Sequence, residues 1–109
     1  MSEQSNFTHL SADQLAEQLS EKSFVVVDIR DANAFSEGRI PGASHLTNDN
    51  IGDFVREADL DKPTVVCCYH GVSSQPAAEY LHSLDFSDVY SLDGGFVHWQ
   101  QAFPDHIER

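Results

Sequence analysis

An α/β fold built on a mainly parallel sheet is the architecture this sequence predicts, and three observations lead to it. Segments with helical spacing alternate along the chain with short apolar runs, the pattern of strand–helix–strand units. The two longest runs, Phe24-Val25-Val26-Val27-Asp28-Ile29 and Thr64-Val65-Val66-Cys67-Cys68, lack the polar alternation of a half-exposed strand, so they read as strands covered on both faces. The length, 109 residues, suits one continuous domain, 1–109, whose core needs no metal or disulfide staple.

Each element carries its own signal. Ser11-Ala12-Asp13-Gln14 has the form of a capping box, Ser11 as N-cap and Gln14 three residues on. Ala12, Leu15, Ala16 and Leu19 then recur at helical spacing. The Phe24–Ile29 strand follows. Ile40-Pro41-Gly42-Ala43 is a turn, and Ser44-His45-Leu46 starts a short strand. Ile51 to Ala58 fits a helix with Ile51, Phe54 and Val55 on one face. Pro63 leads into the Thr64–Cys68 strand. Ser73 or Ser74 opens a helix to Leu84, in which Pro76 is tolerated because it falls in the first turn. Asp88-Val89-Tyr90-Ser91-Leu92 is a third strand, and Gly94-Gly95 starts a last helix carrying Phe96, Trp99 and Phe103 as a packed face.

Charge narrows the partners. Six Lys+Arg stand against 18 Asp+Glu, a formal net charge of −12. That disfavours nucleic acid, whose phosphates call for clustered basic residues, and it disfavours anionic membrane surfaces. A hydrophobic fraction of 40% with seven Phe is too rich for a disordered acidic tail. The start, Met1-Ser2-Glu3-Gln4-Ser5-Asn6, lacks the basic-then-apolar shape of a signal peptide, and no apolar run approaches the roughly 20 residues of a membrane span. A cytoplasmic location is therefore expected. The two cysteines, Cys67 and Cys68, are adjacent, poorly placed for an ordinary disulfide and too few for a zinc site. They point to a reducing compartment and to either a reactive thiol or two inert core thiols.

The chemically informative stretch is Cys68-Tyr69-His70-Gly71-Val72-Ser73-Ser74, which leaves a buried strand and enters a helix. In parallel sheets ligands bind beyond the carboxyl ends of the strands. A loop there can curl its backbone N–H groups into an anion-binding nest, reinforced by the positive end of the following helix. The same field favours a thiolate, and Gly71 can supply a positive φ within the curl. Cys68 reads either as a nucleophile beside an anion site or as a small buried hydrophobe at a strand end. Cys67, pointing to the other face, reads as core.

At these residues the chain resembles the single-domain rhodaneses, most closely the bacterial GlpE-type thiosulfate sulfurtransferases. Val25-Val26-Val27-Asp28-Ile29-Arg30 with Phe35 and Gly38-Arg39-Ile40-Pro41-Gly42-Ala43 is similar to the family's first signature. The Cys68–Ser74 stretch is similar to its active-site loop, and Leu92-Asp93-Gly94-Gly95-Phe96-Val97-His98-Trp99 to its closing signature. With Leu46-Thr47-Asn48-Asp49, the likeness runs from about Phe7 to Phe103. It implies a five-stranded parallel sheet with helices on both faces. It also implies a two-step reaction without metal or organic cofactor. The Cys68 thiolate takes the outer sulfur of thiosulfate as a persulfide, and an acceptor such as cyanide, or a dithiol protein such as thioredoxin, removes it. The substrate-binding residues would be Tyr69, His70, Gly71, Val72, Ser73 and Ser74. The alternatives are persulfide relay to a protein thiol and a non-catalytic binding module; the intact Cys68 counts against the latter.

The departures matter too. Many rhodanese loops carry an Arg at the position of Ser73, and this loop has none, so a weak grip on the thiosulfate dianion is expected. Ser74 stands where related phosphatases place an Arg in a loop one residue longer, which argues against phosphatase activity. Arg39 replaces a frequent His and reads as a surface residue, or else as an offset to the acidic field. His70 reads as a loop residue facing solvent while its backbone does the cradling, rather than as a general base. Tyr69 reads as a pocket wall, and Ser73 and Ser74 as hydroxyl donors or helix caps. Asp28 and Arg30 read as a structural ion pair with neighbours. His9, His45, His82, His98 and His106 show no metal spacing.

Overall fold

The computed structural model describes residues 7–19 and 24–109. The polar start from Met1 to Asn6 lies outside the described residues. In chain order the elements are β1 (Thr8–Leu10), α1 (Ala12–Leu19), β2 (Val25–Asp28), α2 (Ala32–Glu37), β3 (Ser44–His45), α3 (Ile51–Glu57), β4 (Thr64–Cys67), α4 (Ser74–Ser83), β5 (Val89–Leu92) and α5 (Gly95–Ala102). The strands form one five-stranded sheet in the order β1-β5-β4-β2-β3, every pair parallel.

The two Val-rich strands form the middle of that sheet, and all four residues of β4 are buried. Alternation sends Val26, Val65, Cys67 and Leu92 to one face, where Leu15 of α1 and Phe96 and Trp99 of α5 cover them. Val27, Val66 and Val89 go to the other, beneath Ala78 and Leu81 of α4 and Phe54 and Val55 of α3. Helices thus cover both faces. Trp99 is fully buried, and its indole N–H donates to the His106 carbonyl at 2.9 Å, which fastens the chain beyond α5.

The capping box forms as read: the Gln14 N–H donates to Ser11 Oγ at 3.1 Å, and Gln14 Oε1 accepts from the Ser11 N–H at 2.9 Å. The helices and inner strands begin and end within a residue or two of the sequence reading. Two elements had no reading. β1 is three residues long with one buried side chain, so it shows no alternation to detect. α2 has six residues and none buried, so it shows no apolar stripe; its only signal is Asp31, whose carboxylate caps the helix by accepting from the Ala34 N–H.

Asp28 and Arg30 pair with each other rather than with neighbours. Arg30 Nε and Nη2 donate to the Asp28 carboxylate at 2.7–3.1 Å, and Nη2 also reaches the Gly38 carbonyl at 2.7 Å. Both residues are buried, and the guanidinium lies 4.1 Å from the Phe96 ring centre. Arg39 is committed elsewhere: it stacks on Phe35, donates to the Phe35 carbonyl at 3.1 Å, and pairs in an isolated antiparallel bridge with Glu108.

Candidate active site

β4 ends at Cys67, so Cys68 is the first residue beyond the strand and α4 begins six residues later. This short path folds the chain back over the cysteine. The Cys68 sulfur accepts hydrogen bonds from the backbone N–H groups of Gly71 and Ser74, each at 3.2 Å. Gly71 holds φ at +84°, a region open to glycine, and this conformation turns its N–H inward. Ser73 occupies the N-cap position of α4 but makes no side-chain cap bond. The sulfur of Cys68 takes that role instead, accepting the N–H of the first helical residue.

Cys68 is only 4% exposed. Burial by itself would push its thiol up, yet it lies below the ordinary thiol value. Hydrogen bonds from the Ser74 hydroxyl and from the backbone N–H groups of Ser74, Gly71 and His70 outweigh the burial. All of these donors are uncharged. A pocket that lowers a thiol in this way favours an anionic sulfur before and after it gains a second sulfur atom.

Cys67 sits in the opposite environment. Its side chain is buried among Val65, Leu92 and Trp99, and burial, with Asp28 adding to it, pushes the thiol far up. It stays protonated and donates to the Cys68 carbonyl at 3.5 Å.

The other residues of the loop divide by backbone and side chain. His70 is exposed, and its contribution to the lowered Cys68 thiol is through its backbone N–H rather than its ring. Val72 is 68% exposed, and Ser73 is exposed too. Ser74 is fully buried, its hydroxyl 2.7 Å from that of Ser91 on β5. Tyr69 is tied to the N-cap of α2: its hydroxyl donates to Asp31 at 2.6 Å, and it walls a cavity of about 310 Å³ with Arg30 and Phe96. The sequence reading of Tyr69 as a pocket wall therefore applies to that cavity.

Three contributors had no sequence reading. Ser91 supplies the hydroxyl partner of Ser74 from a buried strand position where a polar residue stands out. Gln75 donates to the Gly71 carbonyl at 2.8 Å and holds the curl. Asp31 anchors Tyr69 across 38 positions of sequence, a contact without local signature. Among the described residues no group of three or more His, Cys, Asp or Glu side chains is placed to hold a metal ion.

Comparison with known proteins is consistent with this arrangement. A family profile described as rhodanese-like domain matches residues 11–102. The thiosulfate sulfurtransferase GlpE of Shewanella oneidensis is 54% identical over 98 residues, covering 90% of this chain and 97% of that protein. The protein of the same name from Pseudomonas fluorescens is 58% identical over 92 residues, covering 84% of each. Among solved structures, a rhodanese-like domain protein from Staphylococcus aureus superposes with a TM-score of 0.74 at 28% identity, covering 85% of this chain and 91% of that one. The Alr3790 protein from Anabaena sp. shares the fold with a TM-score of 0.81 at 24% identity, covering 91% and 80%. With a profile match over most of its length and relatives more than half identical across it, this chain belongs to the rhodanese-like domain family.

Proposed function

We propose that this chain is a thiosulfate sulfurtransferase that carries sulfur on Cys68. The observation that carries the reading is the sulfur of Cys68 held by inward-facing backbone N–H groups at the amino end of α4, a cradle for an anionic sulfur. The names of relatives at 54% and 58% identity support thiosulfate as the donor. In the first step the Cys68 thiolate attacks the outer sulfur of thiosulfate. A Cys68 sulfur–sulfur bond forms, the bond within thiosulfate breaks, and its electron pair leaves with sulfite. The persulfide left on Cys68 keeps one negative charge, which the same N–H groups receive.

In the second step an acceptor attacks the outer persulfide sulfur and the Cys68 thiolate leaves. Cyanide yields thiocyanate. A dithiol such as reduced thioredoxin takes the sulfur on one thiol; its second thiol then closes a disulfide and expels the sulfur as hydrogen sulfide. The exposed Val72 and Ser73 flank the approach to Cys68, the buried Ser74 gives the sulfur its N–H and hydroxyl, and Tyr69, His70 and Gly71 contribute through the shape and N–H groups of the loop. The reading takes residues 1–109 as one domain working in the cytoplasm, where a thiol of this kind stays reduced.

Thiocyanate formation from thiosulfate and cyanide tests the reading. Wild type should turn over and Cys68→Ala should fall to the uncatalysed rate; a Cys68→Ala variant that retains activity would refute it. Replacing cyanide with reduced thioredoxin ranks the acceptors, and a large preference for thioredoxin would mark a protein thiol as the working one.

A further inference from the structure

Among the described residues the buried polar or charged side chains are Asp28, Arg30, Thr64, Ser74 and Ser91. Asp28 and Arg30 pair with each other, and Thr64 donates to the Lys62 carbonyl at 3.1 Å where β4 begins. Ser74 and Ser91 remain, both fully buried, with their hydroxyls 2.7 Å apart. Alternation along β5 puts Ser91 on the same face as Val89, beneath α4. Stability alone does not call for a hydroxyl pair there. Two apolar side chains of similar shape would be close to neutral in their place, whereas losing one hydroxyl orphans the other.

The pair sits where the sulfur is held. Ser74 is the first residue of α4, and its N–H donates to Cys68 Sγ at 3.2 Å. The N-cap residue Ser73 makes no side-chain bond to the helix. Gln75 ties α4 only to its own loop, through the Val72 and Gly71 carbonyls. Ser91 is anchored in the sheet instead, in register with His9 of β1 on one side and Val66 of β4 on the other. The second donor leans on the same strand end. A Cβ added at Gly71 would lie 3.1 Å from the Leu92 carbonyl oxygen and 2.7 Å from Gly94 N. Both N–H groups that bond the sulfur are thus backed by the carboxyl end of β5.

We infer that Ser91 is a positioning residue for the nucleophile: its hydroxyl holds the first residue of α4 to the sheet and so fixes the Ser74 N–H against the Cys68 sulfur. Hydrogen bonds weaken steeply once their angle opens, so a small drift of Ser74 costs the anionic sulfur a donor even when the fold is kept. The lowered Cys68 thiol, to which Ser74 contributes, agrees with this placement. The inference rests on Cys68 being the reactive thiol of the proposed function, but it concerns what holds its donors rather than what it transfers.

A double-mutant cycle tests it. The readout is the pH profile of Cys68 alkylation by iodoacetamide, located by peptide mass, with Trp99 fluorescence confirming the fold. Ser91→Ala should move the profile to higher pH and slow alkylation about two- to fivefold at pH values below its midpoint. Ser91→Thr, which keeps the hydroxyl, should stay with wild type. Ser74→Ala should shift the profile at least as far, and adding Ser91→Ala to it should change nothing more, because the link is already cut. In urea titration the double variant should regain the stability that Ser91→Ala loses, since no hydroxyl is orphaned, while its profile stays displaced. A purely structural role would let both recover together. An unshifted profile in folded Ser91→Ala, or shifts that add in the double variant, would overturn the inference. So would a folded Ser91→Thr displaced as far as the alanine variant. Alkylation of the reduced enzyme reads the thiol without any sulfur transfer, so this outcome is separate from failure of thiocyanate formation.

Discussion

Two thiols joined by one peptide bond meet opposite surroundings here because successive side chains of a strand leave by opposite faces. Cys68 ends in a curl of N–H donors and is held below the ordinary thiol value of 9.0. Cys67 enters an apolar layer beside the buried Asp28 and is pushed far above it. Since the folded chain keeps the Cys67 proton that the unfolded chain releases, the stability linked to Cys67 is present below pH 9.0 and falls as pH rises past it. Cys67→Ala should therefore flatten part of the alkaline loss of stability in urea titrations while leaving sulfur transfer near the wild-type rate. A variant that loses transfer while staying folded would show that Cys67 belongs to the site. The buried pair beside it is also sensitive: truncating Arg30 removes the partner of the buried Asp28 carboxylate, a loss on the order of 3–5 kcal/mol in urea titration. That cost suits a scaffold that holds the first residues after β2 rigid.

At the scale of the elements, local rules were legible and distant contacts were not. The capping box of α1 was readable because both of its partners lie within four residues. Ser11→Ala should cost about 1 kcal/mol of stability in denaturant titration without changing activity. Central strands announced themselves as unbroken apolar runs, since helices on both faces exclude polar alternation. β1 and α2 stayed hidden because they bury too little to leave a period. The loop from Cys68 to Ser74 was legible as a strand-to-helix turn with a glycine in it. Ser91 lies 17 positions from the Ser74 it bonds, and the Val97 N–H is 28 positions beyond the Tyr69 carbonyl it holds; such pairings exist only once the sheet order sets β5 beside β4. Asp28 and Arg30 were legible as ion-paired scaffold residues, but the partners were read as neighbours, whereas the chain leaving β2 turns Arg30 back onto the Asp28 carboxylate two residues before it.

For the whole molecule the governing fact is a net charge of −12 around a site proposed to receive a dianion. The donors on the Cys68 sulfur are uncharged groups, Arg30 is spent on Asp28, and Arg39 on Phe35 and Glu108. Attraction is then short-ranged and repulsion long-ranged. Screening acts on the second more than the first, since the Debye length shrinks to about 10 Å at 0.1 M salt. Moderate salt should accordingly lower the KM for thiosulfate, measured at constant pH; a KM that climbs steadily with salt would point to a cation at the site. The central claim, that Cys68 is the atom-bearing residue of the transfer, is tested most directly by intact-mass measurement after treatment with thiosulfate and removal of excess reagent. The account predicts a gain of one sulfur atom, about 32 Da, located on the Cys68 peptide, reversed by cyanide and absent in Cys68→Ala. No gain, or a gain on Cys67, would contradict it.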